Sequence, residues 1–416
     1  MKNQSRLSTH PLLRGLPDIQ GAAGLTWSCV GVYMVCLGLP VHPAISQVVL
    51  AIATVSAFSA VNGQQTSVPA ALWPALGAFL ILTGLSISTA TDPRHAIDVS
   101  ISLVSGTFLL FTCSRLGSVR AVHALLMGFC LAGLIIASVY ILVAALNWNA
   151  SVESWMSTAP YPQFGVPNDL GILAITGIVA LAFFRENQAG LQRGFLVAVV
   201  AAVVSCLLIY RSRGGILVLT ALAVYLVCRR RQQRWVYILP GIALLGVVID
   251  ALSGFAFLQK VAQVQTVSTR IPLWIAAVNM FVEAPLLGHG PGSFALMYRD
   301  FVDQTMLPDW ILIDERDMPW PHNLYLELLA ERGIMGLLAF GAIVTITLRL
   351  IVLSCYRTGP TFPGRVSAAL GYALAGLLIL GLFESSLLRH WVIVAYAFII
   401  GLACVMWRLS NYREQQ

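Results

Sequence analysis

Apolar residues along the chain gather into long runs, and polar residues fill the short gaps between them. A helix needs about 20 predominantly apolar residues to cross roughly 30 Å of hydrocarbon. Twelve stretches meet or approach that length, approximately 22 to 39, 44 to 61, 69 to 88, 97 to 114, 121 to 146, 167 to 184, 194 to 210, 214 to 228, 235 to 252, 323 to 353, 364 to 384 and 390 to 408. The pattern predicts an all-α integral membrane protein of about twelve transmembrane helices. It divides the chain into residues 1–252 with helices one to nine, 253–321 as one long outer loop, and 322–416 with helices ten to twelve. The polar segment before the first run carries Lys2, Arg6 and Arg14, and no small-residue cleavage pattern follows it, so the first helix is expected to be retained.

The long loop has structure of its own. Thr266 to Ala284 reads as an interfacial amphipathic helix, with Ser268 or Thr269 as a cap, Pro272 in the first turn, and Trp274, Val278, Phe281 and Val282 on the apolar side. Arg270 sits one turn before Trp274, near a helix N-terminus, where backbone N–H groups also favour anions; the same position suits snorkelling to lipid headgroups. The stretch Pro285 to Phe294 follows, with Gly288, Gly290 and Gly292 able either to make a tight turn or to present N–H groups to a phosphate. From Arg299 to Asp317 the loop is acidic, but its irregular spacing fits a solvated segment better than a divalent-metal site. Pro319-Trp-Pro-His-Asn323 then leads into the tenth apolar run, with Asn323 placed to cap it and Glu327 and Glu331 on the following turns.

Composition agrees with a membrane protein: 58% of the 416 residues are hydrophobic and 10% charged, against roughly 25% charged in an ordinary soluble domain. Of the 25 basic residues only Lys2 and Lys260 are lysines, so nearly all positive charge is guanidinium, suited to bidentate contact with phosphate or carboxylate. The formal net charge of +7 sits in loops flanking apolar spans and does not point to nucleic acid. With both termini in the cytoplasm, 16 basic residues fall inside and 9 outside, which satisfies the positive-inside rule. The outer arginines are not scattered. Arg211 and Arg213 crowd one very short turn, and Arg270, Arg299 and Arg316 lie in the long loop, while Arg94 and Arg389 stand singly. The eight cysteines lie in or beside apolar runs and form neither a disulfide framework nor a metal-ligand spacing.

His322 is the candidate for chemistry. A histidine at a membrane surface can take a proton from a hydroxyl, and the same position also suits a helix-cap or interfacial histidine. His322-Asn323, nine residues, Gly333, two residues and Gly336 make a pattern that resembles the O-antigen ligases of Gram-negative bacteria. Ser212-Arg213-Gly214-Gly215, the Arg270 to Trp274 helix and the Pro285 to Gly290 turn resemble the wider superfamily of O-antigen ligases, O-antigen polymerases and protein O-oligosaccharyltransferases. The resemblance implies transfer of a polysaccharide from an undecaprenyl-pyrophosphate-linked glycan donor to a sugar hydroxyl of a lipid A-core acceptor. The site would open to the periplasmic face of the bacterial inner membrane, in contact with membrane lipids, with no metal and no other cofactor.

On that resemblance His322 is the catalytic base, and Arg211, Arg213, Arg270, Trp274, Gly288, Gly290 and Asn323 contact substrate. Inversion at the anomeric carbon is expected, because no carboxylate stands out as a covalent nucleophile. An O-antigen polymerase is the alternative within the superfamily, although neither Arg211 nor Arg270 is followed by glycine at the ten-residue spacing that some polymerases resemble one another in. A polytopic lipid or polysaccharide transporter is the alternative of another class. It would need charged or broken-helix features near the midplane, where the spans here are charge-poor.

Overall fold

A computed structural model describes residues 28–33, 36, 43–59, 69–116, 119–147, 167–183, 190–210, 212–230, 269–302, 307, 311, 318–383 and 385–414. Among them the chain is helical, without a strand. Its α-helices are α1 (Pro43–Ser59), α2 (Leu72–Ile87), α3 (Pro93–Ser114), α4 (Val119–Leu146), α5 (Leu173–Phe183), α6 (Gly190–Ile209), α7 (Arg213–Arg230), α8 (Arg270–Glu283), α9 (Ser293–Met297), α10 (Leu324–Thr358), α11 (Phe362–Gly381) and α12 (His390–Glu414). Six of these, α3, α4, α6, α10, α11 and α12, are long and apolar enough to span a bilayer, while α1, α2 and α5 are shorter apolar helices. At 1.5 Å per residue, the 16 residues of α2 cover only about 24 Å. The expected span at 235 to 252 and most of that at 22 to 39 lie outside the described residues.

Local chemistry sets the helix ends. Asp92 starts α3 four residues earlier than the apolar run alone predicts, because its carboxylate accepts from the amides of Arg94 and His95 at 3.0 and 3.1 Å and Pro93 supplies the first turn. At the other end of the same helix the Arg408 guanidinium donates to the carbonyls of Ser114 and Leu116, and so satisfies acceptors the helix leaves open. Helix α12 is central: 89% of its apolar window is buried in protein, against 33% for α6. It packs along α3 and touches α10 and α11; α10 in turn lies against α2 and α11, and α5 and α7 join the α4–α6 pair to α11.

The feature that shapes the site is a break in α10. Gly333 has φ 64° and ψ −171°, a conformation reserved for glycine, so Leu324–Arg332 and Ile334–Thr358 are two helices meeting at an angle. Breaking a helix exposes backbone groups that must find partners. Here the turn after α8 supplies them. The amides of His289 and Gly290 donate to the carbonyls of Ala330 and Glu331 at 3.0 and 2.9 Å, and those of Ile334 and Met335 donate to Pro285 and Leu286 at 2.9 and 3.4 Å. The fit leaves no room for side chains: a Cβ on Gly333 would strike the Leu286 carbonyl, and one on Gly288 the backbone of Glu331.

Helix α8 spans 14 residues and packs one face against the protein. Pro272, Leu273, Ala276, Ala277 and Met280 are buried, while Val278 and Val282 are 44% and 69% exposed. The small pair Ala276 and Ala277 lets α8 lie close against Ala330 of α10, in a compact apolar cluster that includes Phe294 and Tyr298. Thr269 occupies the N-cap position without a side-chain cap bond, and Ser268 lies outside the described residues.

Replacing Gly333 by alanine forces a Cβ into a glycine-only conformation and against a backbone carbonyl, an expected cost of at least about 2 kcal/mol. Gly341, later in α10 with open space around it, provides the control: Gly341→Ala should stay within about 1 kcal/mol of the parent. Thermal unfolding of the two variants in detergent checks this, and equal stabilities would contradict it.

Candidate functional site

Pro319 and Pro321 bring the chain into α10 along a restricted path, and His322 between that path and the helix has φ 52°. A non-glycine residue in this region carries strain of about 1–3 kcal/mol, although histidine tolerates it better than a β-branched residue. Three interactions hold the segment. The Trp274 indole of α8 donates to the Pro321 carbonyl at 3.0 Å. The Asn323 side chain caps α10, accepting from the amides of Tyr325 and Leu326 at 3.0 and 3.1 Å. Trp320, 4% exposed, packs edge-on against the His322 ring with centroids 5.7 Å apart.

Trp320 also carries a cation. The Arg389 guanidinium carbon stands 4.3 Å from the indole centroid, a cation–π stack. Arg389 comes from the 385–389 loop before α12, and that loop is tied to α10 by the Leu387 amide, which donates to Glu327 Oε1 at 3.0 Å. Trp320 therefore touches both the Arg389 guanidinium and the His322 imidazole, and the histidine is half-buried.

The first segment of α10 buries three ionisable side chains. Glu327 and Glu331 are 0% exposed and Arg332 1%. Arg332 reaches Glu331 at 3.4 Å. The arginine has space because residue 336 is glycine: a Cβ there would collide with the Arg332 Cβ. Both glycines of the His-Asn…Gly-x-x-Gly pattern thus have structural causes, Gly333 to break the helix and Gly336 to seat the buried guanidinium.

Of the residues singled out from the sequence, His322, Trp274 and Asn323 meet in one place. Arg270 opens α8, one turn before Trp274, and is half-buried. Arg213 opens α7; Gly215 beside it lets α7 close on Gly171, and α7 packs on α11, whose end at Gly381 lies against Leu324 and Tyr325 at the start of α10. Arg211 lies outside the described residues, as does most of the acidic 303–317 segment.

Gly288 and Gly290 turn out differently from a phosphate cradle. Their amides are spent on the carbonyls of Ala284 and Glu331, so these glycines hold the break in α10 rather than offer N–H groups to an anion. His289 has a structural part too: its Nε2 lies 3.0 Å from the Met280 carbonyl and its ring packs on Phe301. Sequence reasoning missed Trp320, Arg389 and the depth of the Glu327–Glu331–Arg332 cluster. The available signals were a tryptophan between two prolines and an isolated outer arginine just before an apolar run.

Residues 196–341, about a third of the chain, match the family model described as O-antigen ligase. The matched segment runs from α6 to just past Gly336 and so includes α7, α8, the turn that clamps α10 and His322 itself. No curated protein matched the chain.

Removing one member of a buried ion pair leaves an uncompensated charge, at about 3–5 kcal/mol, whereas replacing both by apolar side chains is close to neutral. Arg332→Met should therefore sharply reduce folded protein in the membrane, and adding Glu331→Leu should restore part of it. Fluorescence-detected size-exclusion chromatography reads both; an additive loss would contradict the pairing.

Proposed function

We propose that the chain is a membrane glycosyltransferase of the O-antigen ligase type, acting in lipopolysaccharide assembly. It would move a preassembled polysaccharide from undecaprenyl pyrophosphate to a sugar hydroxyl of the lipid A core, at the periplasmic face of the inner membrane and without a metal. The observation that carries the reading is the bond from Trp274 of the Arg270 helix to Pro321, immediately before His322. It couples the helix that begins at Arg270 to His322, which among the described residues is the one non-glycine residue with positive φ.

The chemistry asks for little else. Pyrophosphate on the donor is already a good leaving group, and its departure needs mainly positive charge, which Arg270 and Arg213, with Arg211, would supply. The acceptor hydroxyl is a weak nucleophile until a base takes its proton. In the proposed step His322 accepts that proton as the hydroxyl oxygen forms its bond to the anomeric carbon. The bond from that carbon to the pyrophosphate oxygen breaks, and the electron pair leaves on the lipid pyrophosphate. One displacement inverts the anomeric centre.

Asparagine accepts the left-handed conformation but cannot act as a base, so His322→Asn separates chemistry from backbone strain. Both His322→Asn and His322→Ala should lower transfer by about 10²- to 10⁴-fold at normal protein amount. A lipopolysaccharide ladder from cells that lack the native gene and carry each variant reads this. Ladders of parental intensity from the asparagine variant would remove His322 from the reaction, and loss of the parental ladder on adding a chelator to purified components would contradict a metal-free step.

A further inference from the structure

The buried cluster in the first segment of α10 holds two acids and one guanidinium. Glu327 and Glu331, one turn apart on the same helix face, are both 0% exposed, and Arg332 is 1% exposed. The acids are not equivalent. Glu331 has the Arg332 guanidinium at 3.4 Å and faces the amides of Gly292 and Phe294 at the start of α9, so its negative charge is matched. Glu327 accepts from the Leu387 amide at 3.0 Å and faces the Ser386 hydroxyl. Its Oε2, like Glu331 Oε1, is buried without a hydrogen-bond partner among the described residues.

Two buried carboxylates beside one cation leave an uncompensated negative charge, and a proton on the less well matched acid removes it. That acid is Glu327. The second segment of α10, Ile334–Thr358, is by itself long enough to cross roughly 30 Å of hydrocarbon at about 1.5 Å per residue, so the cluster stands outside the membrane-spanning part. Burial, and then the Glu331 carboxylate, hold the Glu327 carboxyl well above the usual carboxylate range against the pull of Arg332. Other titratable groups approach from neighbouring elements: His95 of α3 against Gly292, His289 in the turn before α9, and Arg389 and His390 just past Leu387. The charges that act on Glu327 are those of Glu331 and Arg332. Glu384, in the same loop as Leu387, lies outside the described residues.

We propose that Glu327 is a positioning residue for the reaction, held as the neutral acid: its carboxyl fastens the 385–389 loop, and with it the Arg389 guanidinium that rests on Trp320 beside His322. The inference rests on the proposed reaction only for what the histidine does. Ionisation makes Glu327 a stronger acceptor for one amide, but it also puts a second negative charge beside Glu331, and admitting solvent at the loop relieves the excess. Because the fold favours the protonated form, the loop is held at and below neutral pH and loosens as the pH rises above it.

Hydrogen exchange of the purified full chain in detergent tests the hold without any substrate. It is read by mass spectrometry on the peptide that contains Leu387, corrected for the intrinsic rate. From about pH 7 to about pH 9 the parent should lose protection at Leu387 about tenfold, while peptides of α11 keep theirs. Glu327→Gln retains an acceptor for the amide and has no charge to gain, so its protection should stay level over that range. Glu327→Leu, without an acceptor, should protect Leu387 weakly at every pH. Protection in the parent that ignores pH, or an alkaline loss that survives in Glu327→Gln, overturns the proposal. Transfer is the second readout. The parent should lose transfer on the alkaline side and Glu327→Gln should not, while both keep the acid-side fall at which the base His322 takes up a proton. Identical profiles for the two also overturn it. A pH-dependent hold on Leu387 in a parent that transfers nothing would strike the proposed reaction and leave the role of Glu327 in the loop. Full transfer with a pH-independent hold would strike that role alone.

Discussion

Everything at the site end of the molecule depends on the broken helix. A glycine conformation at 333 opens α10, and the turn from Pro285 to Gly290 closes the opening by exchanging four backbone hydrogen bonds with it. Backbone groups freed inside a bilayer or its interface have no water to fall back on, so a break there persists only where protein takes up the freed partners. The exchange fixes α8 against α10. From α8 the Trp274 indole reaches the carbonyl before His322, and the strained imidazole is held where the surrounding contacts leave it no alternative. The Thr89 hydroxyl, bonded to the Gly288 carbonyl at 2.8 Å, adds the α2–α3 turn to the same assembly.

The charged groups fall into two kinds. Glu327, Glu331 and Arg332 are buried in the first segment of α10 and anchor the elements around it, the 385–389 loop through Leu387 above all. Buried ionic clusters contribute little net stability, but the loss of one member is costly, so such a cluster specifies an arrangement more than it strengthens it. The half-exposed cations Arg270, Arg213 and Arg389 sit at helix starts or in the loop that leads into one, where a guanidinium can meet a negatively charged lipid headgroup. Arg389 also has a place that spacing along the chain could not reveal, because the indole beneath it comes from residue 320.

Much of this was legible before any coordinates. Long apolar runs gave the helices, Asn323 read correctly as the α10 cap, and the tryptophan of the amphipathic segment proved to be its link to the histidine. The misreadings have physical causes. Helical periodicity shows that a face is apolar but not which element covers it, so the packing of Ala276, Ala277 and Met280 of α8 on the protein could not be read from the sequence. Three glycines beside two prolines more often mean a tight turn than an anion cradle, but that the turn splices a broken helix shows only in its bonds to Ala330 and Glu331. Gly333 and Gly336 could be seen as a pattern, but their reasons lie in Leu286, remote in the chain, and in the side chain of Arg332.

The most direct examination of the account is an electron cryomicroscopy structure of the chain in a lipid nanodisc with a non-hydrolysable analogue of the lipid pyrophosphate donor. The account predicts the Pro285 to Ile334 backbone bond intact, the pyrophosphate within hydrogen-bond distance of Arg270, and the anomeric carbon on the side facing His322. A pyrophosphate bound at the opposite end of the bundle, beside Arg408, or an imidazole turned away from the sugar toward lipid would contradict it.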